Sequence, residues 1–404
     1  MLSLAARLYA AVMRLRNAAY DRVLFRTHSV SVPVISVGNI TAGGTGKTPV
    51  VEYLLAYCLE QGWRPAVVTR GYRRRSRGLV LVSDGAGIRV TADQSGDEAA
   101  QIARKFPQAI VIADANRVRG ARHAVASCGA EVILLDDAFQ HRAIGRNCDI
   151  VVIDAQQDLA AQRMIPAGRL REPLDHLRRA DIVLLSRCDS AEDCTETAAS
   201  LRRWTEAPVY QTTFRAVALQ RLSLNPAGKE THGASASSSD VETHGAATTD
   251  TWSEARTALP PDALAGRRVT AFCGIGSPQS FRRLLTDLGM EIDAFHSMGD
   301  HHWYTPRELR RLVHDAVQRT GGLLLTTEKD AARLGDEGWI NDMLAELSSA
   351  DVSRTSAARS AKGRIDGAED GEGRVNGIYY PVLRMEILNG EDAFLTGIRR
   401  NLSR

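Results

Sequence analysis

The chain has 404 residues, with 51 Lys and Arg against 48 Asp and Glu and a formal net charge of +3. That length accommodates two domains with their own cores, and the near balance of charge excludes wholesale nucleic-acid binding, so any basic partner site must be local. No apolar stretch approaches the roughly 20 residues of a membrane span, and six cysteines without CxxC spacing read as reduced thiols of a cytosolic protein rather than a zinc site or disulfide framework.

The first predicted element is an amphipathic helix over residues 4–19, with Leu4, Leu8, Val12 and Leu15 on one face and Arg7 and Arg14 opposite. Docking on the chain's own domain and lying in a membrane interface both fit this pattern. From residue 30 to 187 short apolar runs alternate with helix-compatible segments: Val34–Val37, Ala66–Thr69, Ala109–Ala113, Val132–Leu135, Ile150–Ile153 and Ile182–Leu185. Continuous apolar runs with helices between them predict an α/β fold, a doubly wound parallel sheet buried on both faces. Ligands of such a sheet sit at the carboxyl ends of the strands, where Gly38, Asp114, Asp136 and Asp154 fall.

The first strand leads into Gly38-Asn39-Ile40-Thr41-Ala42-Gly43-Gly44-Thr45-Gly46-Lys47-Thr48 and then a helical segment. A glycine-rich loop that opens a helix turns backbone N–H groups toward a polyphosphate, and the helix dipole favours the negative charge. Lys47 adds a point charge, and the Thr48 hydroxyl is suited to Mg²⁺. Residues 41–48 are therefore the predicted phosphate cradle of a P-loop NTPase-like domain. Thr41 stands where the strict motif has glycine.

Four further groups sit on the ligand side. The strand ending in Asp136 and Asp137 offers acids that could hold the same Mg²⁺, or simply terminate a turn. Asp97 and Glu98 open a helix, where the dipole alone would favour acids, and where a carboxylate could also receive a proton from an acceptor hydroxyl. Arginines cluster after a strand at Arg70, Arg73, Arg74, Arg75 and Arg77, with Tyr72 among them and Arg117, Arg119, Arg169 and Arg171 beyond. These suit either a solvated surface or an anionic substrate. His301 and His302 lie in a Gly-led loop after a strand of the second domain, and either could tune a carboxylate across a cleft.

Residues 211–225 read as a connector, and residues 226–404 as a smaller α/β domain with strands at Val269–Cys273, Glu291–Phe295, Leu323–Thr326 and Val382–Ile387. Polar, low-complexity stretches at about 226–258 and 348–377 read as surface insertions with no required function. The expected organisation is thus residues 1–28 as an N-terminal membrane-associated helix, 29–210 as the P-loop kinase domain, and the connector and smaller domain after it.

Taken in order, Gly38–Pro49, Arg70-Gly71-Tyr72, Gly96-Asp97-Glu98, Asp136-Asp137-Ala138-Phe139-Gln140-His141, Gly168–Pro173, Gly274-Ile275-Gly276, Asp300-His301-His302 and Thr326–Ala331 resemble the tetraacyldisaccharide 4′-kinases. The resemblance implies transfer of the ATP γ-phosphate to the 4′-hydroxyl of a tetraacyldisaccharide 1-phosphate lipid in lipid A biosynthesis. It implies ATP and Mg²⁺ as cofactors, an anionic membrane surface at the cytoplasmic face of the bacterial inner membrane, and no nucleic acid or obligate protein partner. It also implies Lys47 and Thr48 at the phosphates, Asp97 as base oriented by His301, and Thr48, Asp136, Asp137 and Glu172 around the metal. Arg70, Tyr72, Glu98, Arg119, Gln140, His141 and Arg171 would line the site. Ala138 stands where the family has glycine. Two rivals fit less well. A partitioning ATPase would have Lys at position 42, where this chain has Ala, and a small GTPase would read Asn-Lys where this chain has Ser186-Arg187.

Overall fold

A computed structural model describes residues 2–222, 258–335, 339–340, 343 and 376–403. The predicted insertions lie outside the described residues, apart from their edges at Ala258, Asn376 and Gly377.

The helix α1, Leu2–Asp21, leads to a doubly wound unit of β1 (Val34–Gly38), α2 (Lys47–Glu60), β2 (Pro65–Thr69), β3 (Val80–Asp84), α3 (Ala92–Ser95), α4 (Asp97–Lys105), β4 (Ile110–Ala113), α5 (Arg117–Cys128), β5 (Val132–Asp136), β6 (Cys148–Asp154), β7 (Ile182–Ser186) and α6 (Thr195–Leu201). The strand order is β7-β6-β1-β5-β2-β4-β3. All neighbours are parallel except β3, which the apolar pattern missed and which pairs antiparallel to β4 at the edge. Every residue of β1, β2, β4, β5, β6 and β7 is buried, the outcome that unbroken apolar runs dictate when helices cover both faces.

Residues 211–222 of the expected connector are described, and they are not a loose link. Most of them belong to the 13-residue strand β8, Val209–Arg221, which is parallel to β7 at one end and antiparallel to β13, Gly377–Ile387, along the rest. The remaining elements are β9 (Ala258–Leu259), β10 (Arg268–Cys273), α7 (Pro278–Asp287), β11 (Glu291–Ser297), α8 (Pro306–Thr320), β12 (Leu323–Leu325), α9 (Glu328–Leu334) and α10 (Glu391–Leu402). The order β11-β10-β12-β13-β8-β7 continues the first unit's strands, so among the described residues one 13-stranded sheet runs through both halves. The alternating burial of β8 explains the misreading: one of its faces is partly solvated, and its sequence lacks the unbroken apolar run of the other strands. The C-terminal helix α10 returns to the first unit, where Phe394 and Ile398 join the core formed by Val50, Leu54 and Ile150.

The helix α1 docks, but not by its leucines. Its buried side is Ala6, Ala10, Met13 and Asn17, of which the two alanines leave room for a close approach to the domain. Leu4, Leu8, Val12 and Leu15 point outward at 72%, 67%, 53% and 71% exposure. Arg142 holds the helix end through the Asn17 carbonyl and Asp21. Among the described residues no helix is long and apolar enough to cross a membrane.

One cysteine expectation fails. Cys188 and Cys194 are joined as a disulfide closing a short loop after β7, while Cys58, Cys128, Cys148 and Cys273 are free and buried.

Candidate active site in the interdomain cleft

The strands bring the site together before any side chain does. Because β1 and β5 are parallel neighbours with Val37 opposite Asp136, the end of β1 and the acids after β5 share one edge despite about ninety intervening residues. The loop from Asn39 to Gly46 then enters α2. Gly46 caps that helix with φ 81° and no side-chain acceptor. A Cβ there would lie 2.4 Å from the Phe214 ring of β8, so glycine alone permits both the turn and the close approach. Asn39 braces the loop by donating to the Thr45 hydroxyl at 3.1 Å.

The Lys47 ammonium lies 3.4 Å from Asp137, and Arg171 grips the same carboxylate at 2.8 and 2.9 Å. Burial alone would raise the Asp137 pKa, but the Lys47 and Arg171 cations outweigh it and hold it below the usual range. Asp136 differs. It is 2% exposed, and burial together with the Glu98 and Asp137 carboxylates pushes its pKa up to about 7 against the weaker pull of Lys47 and Arg117. The edge beside Thr48 thus gathers two carboxyl groups, one ion-paired and one whose burial opposes its charge in the absence of a further cation. With hydroxyl and carboxylate oxygens as donors, it fits a hard divalent cation and the phosphates that accompany it. Among the described residues no three His, Cys, Asp or Glu side chains form a metal cluster.

The opposite wall comes from the smaller unit. The His301 Nδ1 atom is 2.8 Å from Asp97 Oδ2, and the His301 ring meets Tyr72 edge-on with centroids 5.0 Å apart. Arg333 donates to the same carboxylate oxygen at 2.5 and 3.1 Å, and Lys329 stands 3.7 Å away. Burial would raise the Asp97 pKa, but the His301 bond and the Lys329 and Arg333 cations hold it far below the ordinary carboxylate range. The other oxygen, Oδ1, accepts a bond from the Glu98 N–H at 3.0 Å. Lys329 also reaches Glu98 at 3.3 Å.

These walls enclose an open cleft of about 1170 Å³. Residues 42–48, Arg70, Tyr72, Glu98, Asp136, Asp137, Gln140, His141, Arg171 and His301 line it, as do Ile275, Ser277 and Lys329 of the smaller unit. Burial and the surrounding arginines lower the His141 pKa to about 4, leaving a neutral ring whose Nε2 has no bonding partner.

Four predicted site residues do not line the cleft. Thr41 is buried, bridging to Leu170. Asp97 sits behind His301. Arg119 turns away and pairs with Asp114 at 2.7 and 2.9 Å. Glu172, expected around the metal, is fully buried, taking bonds from Asn17 of α1 at 2.5 Å, His176 at 2.7 Å and Arg179 at 2.8 Å. Its carboxylate ties α1 to the domain. The chain's sequence contained no sign of this, since Asn17 and Glu172 are far apart along it. The roles of Lys329 and Arg333 were also missed, although their i, i+4 spacing on α9 puts two cations on one helix face.

The family model described as Tetraacyldisaccharide-1-P 4'-kinase (LpxK) matches residues 1–359. Proteins named tetraacyldisaccharide 4'-kinase from Chlorobium luteolum and Chlorobaculum tepidum are 39% and 37% identical over 336 and 346 residues, covering 82% and 85% of this chain and 86% and 89% of theirs. A crystal structure of LpxK from Aquifex aeolicus, described as an "apo" form in complex with ATP, matches with a TM-score of 0.66 at 26% identity, covering 98% of this chain and 97% of that one.

Proposed function

The chain belongs to the tetraacyldisaccharide-1-P 4'-kinase family, phosphotransferases of lipid A biosynthesis, and on that premise we propose how its residues move the γ-phosphate of ATP to the 4′-hydroxyl of a tetraacyldisaccharide 1-phosphate. Backbone N–H groups of residues 43–48 and the Lys47 ammonium hold the phosphates. Thr48, Asp136 and Asp137 would hold Mg²⁺, which would supply charge neutralisation to the phosphates. To reach the phosphates Lys47 leaves Asp137, and Arg171 remains as that carboxylate's counter-charge.

The acceptor hydroxyl must lose its proton as the phosphoryl group arrives, and the Asp97–His301 pair receives it. Asp97 is the base by family resemblance, with Oδ1 free of the bonds from the smaller unit and Oδ2 fixed by His301. Arg70, Tyr72, Gln140 and His141 face the cleft and suit the sugar and phosphate of the acceptor. A lipid with four acyl chains must be collected at a bilayer. The exposed leucine face of α1, together with Arg7 and Arg14, which are exposed as well rather than buried opposite it, suits the acyl and headgroup layers of an anionic membrane, so we place the protein peripherally at the cytoplasmic face of the inner membrane.

The observation that carries this reading is the bond between Asp97 and His301 across the cleft from Lys47 and Asp136. The purified protein, incubated with ATP, Mg²⁺ and tetraacyldisaccharide 1-phosphate in detergent, should yield lipid with one added phosphate by mass analysis. Phosphate release from ATP without any phosphorylated lipid would sink the kinase reading.

A further inference from the structure

Arg333 is the largest fully buried side chain among the described residues, and it does not line the cleft. Its donors are all directed. Nε and Nη2 bond Asp97 Oδ2, while Nη1 reaches Asp330 Oδ1 at 2.6 Å and the carbonyls of Gly274 at 3.1 Å and His302 at 3.3 Å. Asp330 is itself immobile, taking bonds from the Gly274 N–H, the Thr327 hydroxyl and Tyr304. Burying a guanidinium is costly unless every donor is matched, and a hydrophobic side chain would fill this space without that cost. The arginine fork is therefore placed for what it does to Asp97.

We propose that Arg333 is a positioning residue of the phosphotransfer site: carried on α9, its planar fork holds the Asp97 carboxylate against His301 and supplies that carboxylate's counter-charge. The inference rests on the kinase reading. The charged groups facing Asp97 are Glu98 on its own helix, His301 and Asp300 on the loop after β11, and Lys329, Asp330 and Arg333 on α9, with Tyr72 covering the His301 ring. Arg333 and Lys329 are the cations of that set. Removing Arg333 leaves a buried, more negative cluster that binds a proton more tightly. The acid limb of the pH–rate profile, which belongs to the Asp97–His301 pair rather than to one residue, then moves to higher pH.

The test is kcat on detergent-dispersed tetraacyldisaccharide 1-phosphate from pH 4 to 9, with a melting curve for each variant. Arg333→Met should move the acid limb up by about one unit or more and lower kcat at pH 7 by about tenfold or more. Arg333→Lys keeps the charge but not the fork, so its limb should stay at the wild-type position while kcat falls. A residue that merely fills the core would change the melting temperature and leave the limb in place. If Arg333→Met does not fold, Arg333→Lys in an Asp97→Ala background decides. An arginine acting through Asp97 has little left to lose there, so losses that multiply would overturn the proposal. A wild-type protein that does not phosphorylate the lipid overturns the kinase reading and the inference with it. Wild-type activity with an unshifted Arg333→Met limb overturns the inference alone.

Discussion

Replacing Lys105 by Met is expected to weaken the joint between the two halves of the chain, and to do so more at high pH than at low. Lys105, at the end of α4, donates to Glu52 of α2 at 2.7 Å, to Glu328 at the start of α9 at 2.9 Å and to the Leu383 carbonyl of β13 at 2.9 Å. Its side chain is 8% exposed and that of Glu52 5%. Two carboxylates thus meet around one lysine in a place water hardly reaches, and breaking such a pair from one side costs about 3–5 kcal/mol. With about 2 cal/mol/K of unfolding entropy per residue, a chain of 404 residues turns that cost into a fall in Tm of about 4–6 °C.

The pH dependence follows from Glu52. Burial, helped by the Glu328 carboxylate, pushes its pKa up to about 7 even though Lys105 pulls it down. A carboxylate whose folded pKa lies above its unfolded value contributes most below the unfolded pKa, and that contribution is lost as the pH rises through the folded one. Without Lys105 the folded pKa rises further, so at pH 6 a bound proton relieves much of the repulsion that remains at pH 8.5. Circular-dichroism melts of both proteins at those two pH values provide the measurement, with the full fall at pH 8.5 and about half of it at pH 6. A fall below about 1 °C at pH 8.5, or a larger fall at pH 6, would refute the reasoning.

Lys47→Ala should leave the melting curve nearly unchanged while removing on the order of 3 kcal/mol of transition-state stabilisation, read as the loss of almost all turnover; retention of a third of wild-type activity would contradict its placement at the phosphates. For the Asp97–His301 pair, Asp97→Ala should lower kcat by about 10² or more and His301→Ala by less, and the 2.8 Å bond between them predicts that the double variant loses less than the product of the two. Independent, multiplying losses would separate the residues. The outward leucines of α1 predict that Leu8→Asp with Leu15→Asp keeps stability and detergent-assay activity but loses co-sedimentation with anionic vesicles, binding that in the wild type should weaken with salt. Unchanged co-sedimentation would exclude α1 as the anchor, and a large fall in Tm would mean that the leucines pack.

Local chemistry was legible in the sequence wherever it depends on neighbours along the chain. Continuous apolar runs marked six strands of the first unit because burial on both faces leaves no polar position, and Gly46 marked the turn into α2 because its positive φ demands glycine. Family resemblance carried more: it joined Asp97 to His301 and named the acceptor, which no spacing in this chain reveals. Tertiary structure decided what depends on partners distant in sequence. It made residues 212–221 a strand paired with β13, since a half-solvated strand carries only a weak periodic signal. It turned Glu172 away from the cleft and onto Arg179 and Asn17, and Arg119 onto Asp114, because a charged side chain goes to whichever counter-charge and hydrogen-bond donors the fold brings within reach. It also exposed the leucine face of α1, as an amphipathic pattern records that two faces differ without saying which one meets the protein. Arg333 shows the same limit most plainly: as one cation on a short helix it looks like surface, and only the fold buries it against Asp97.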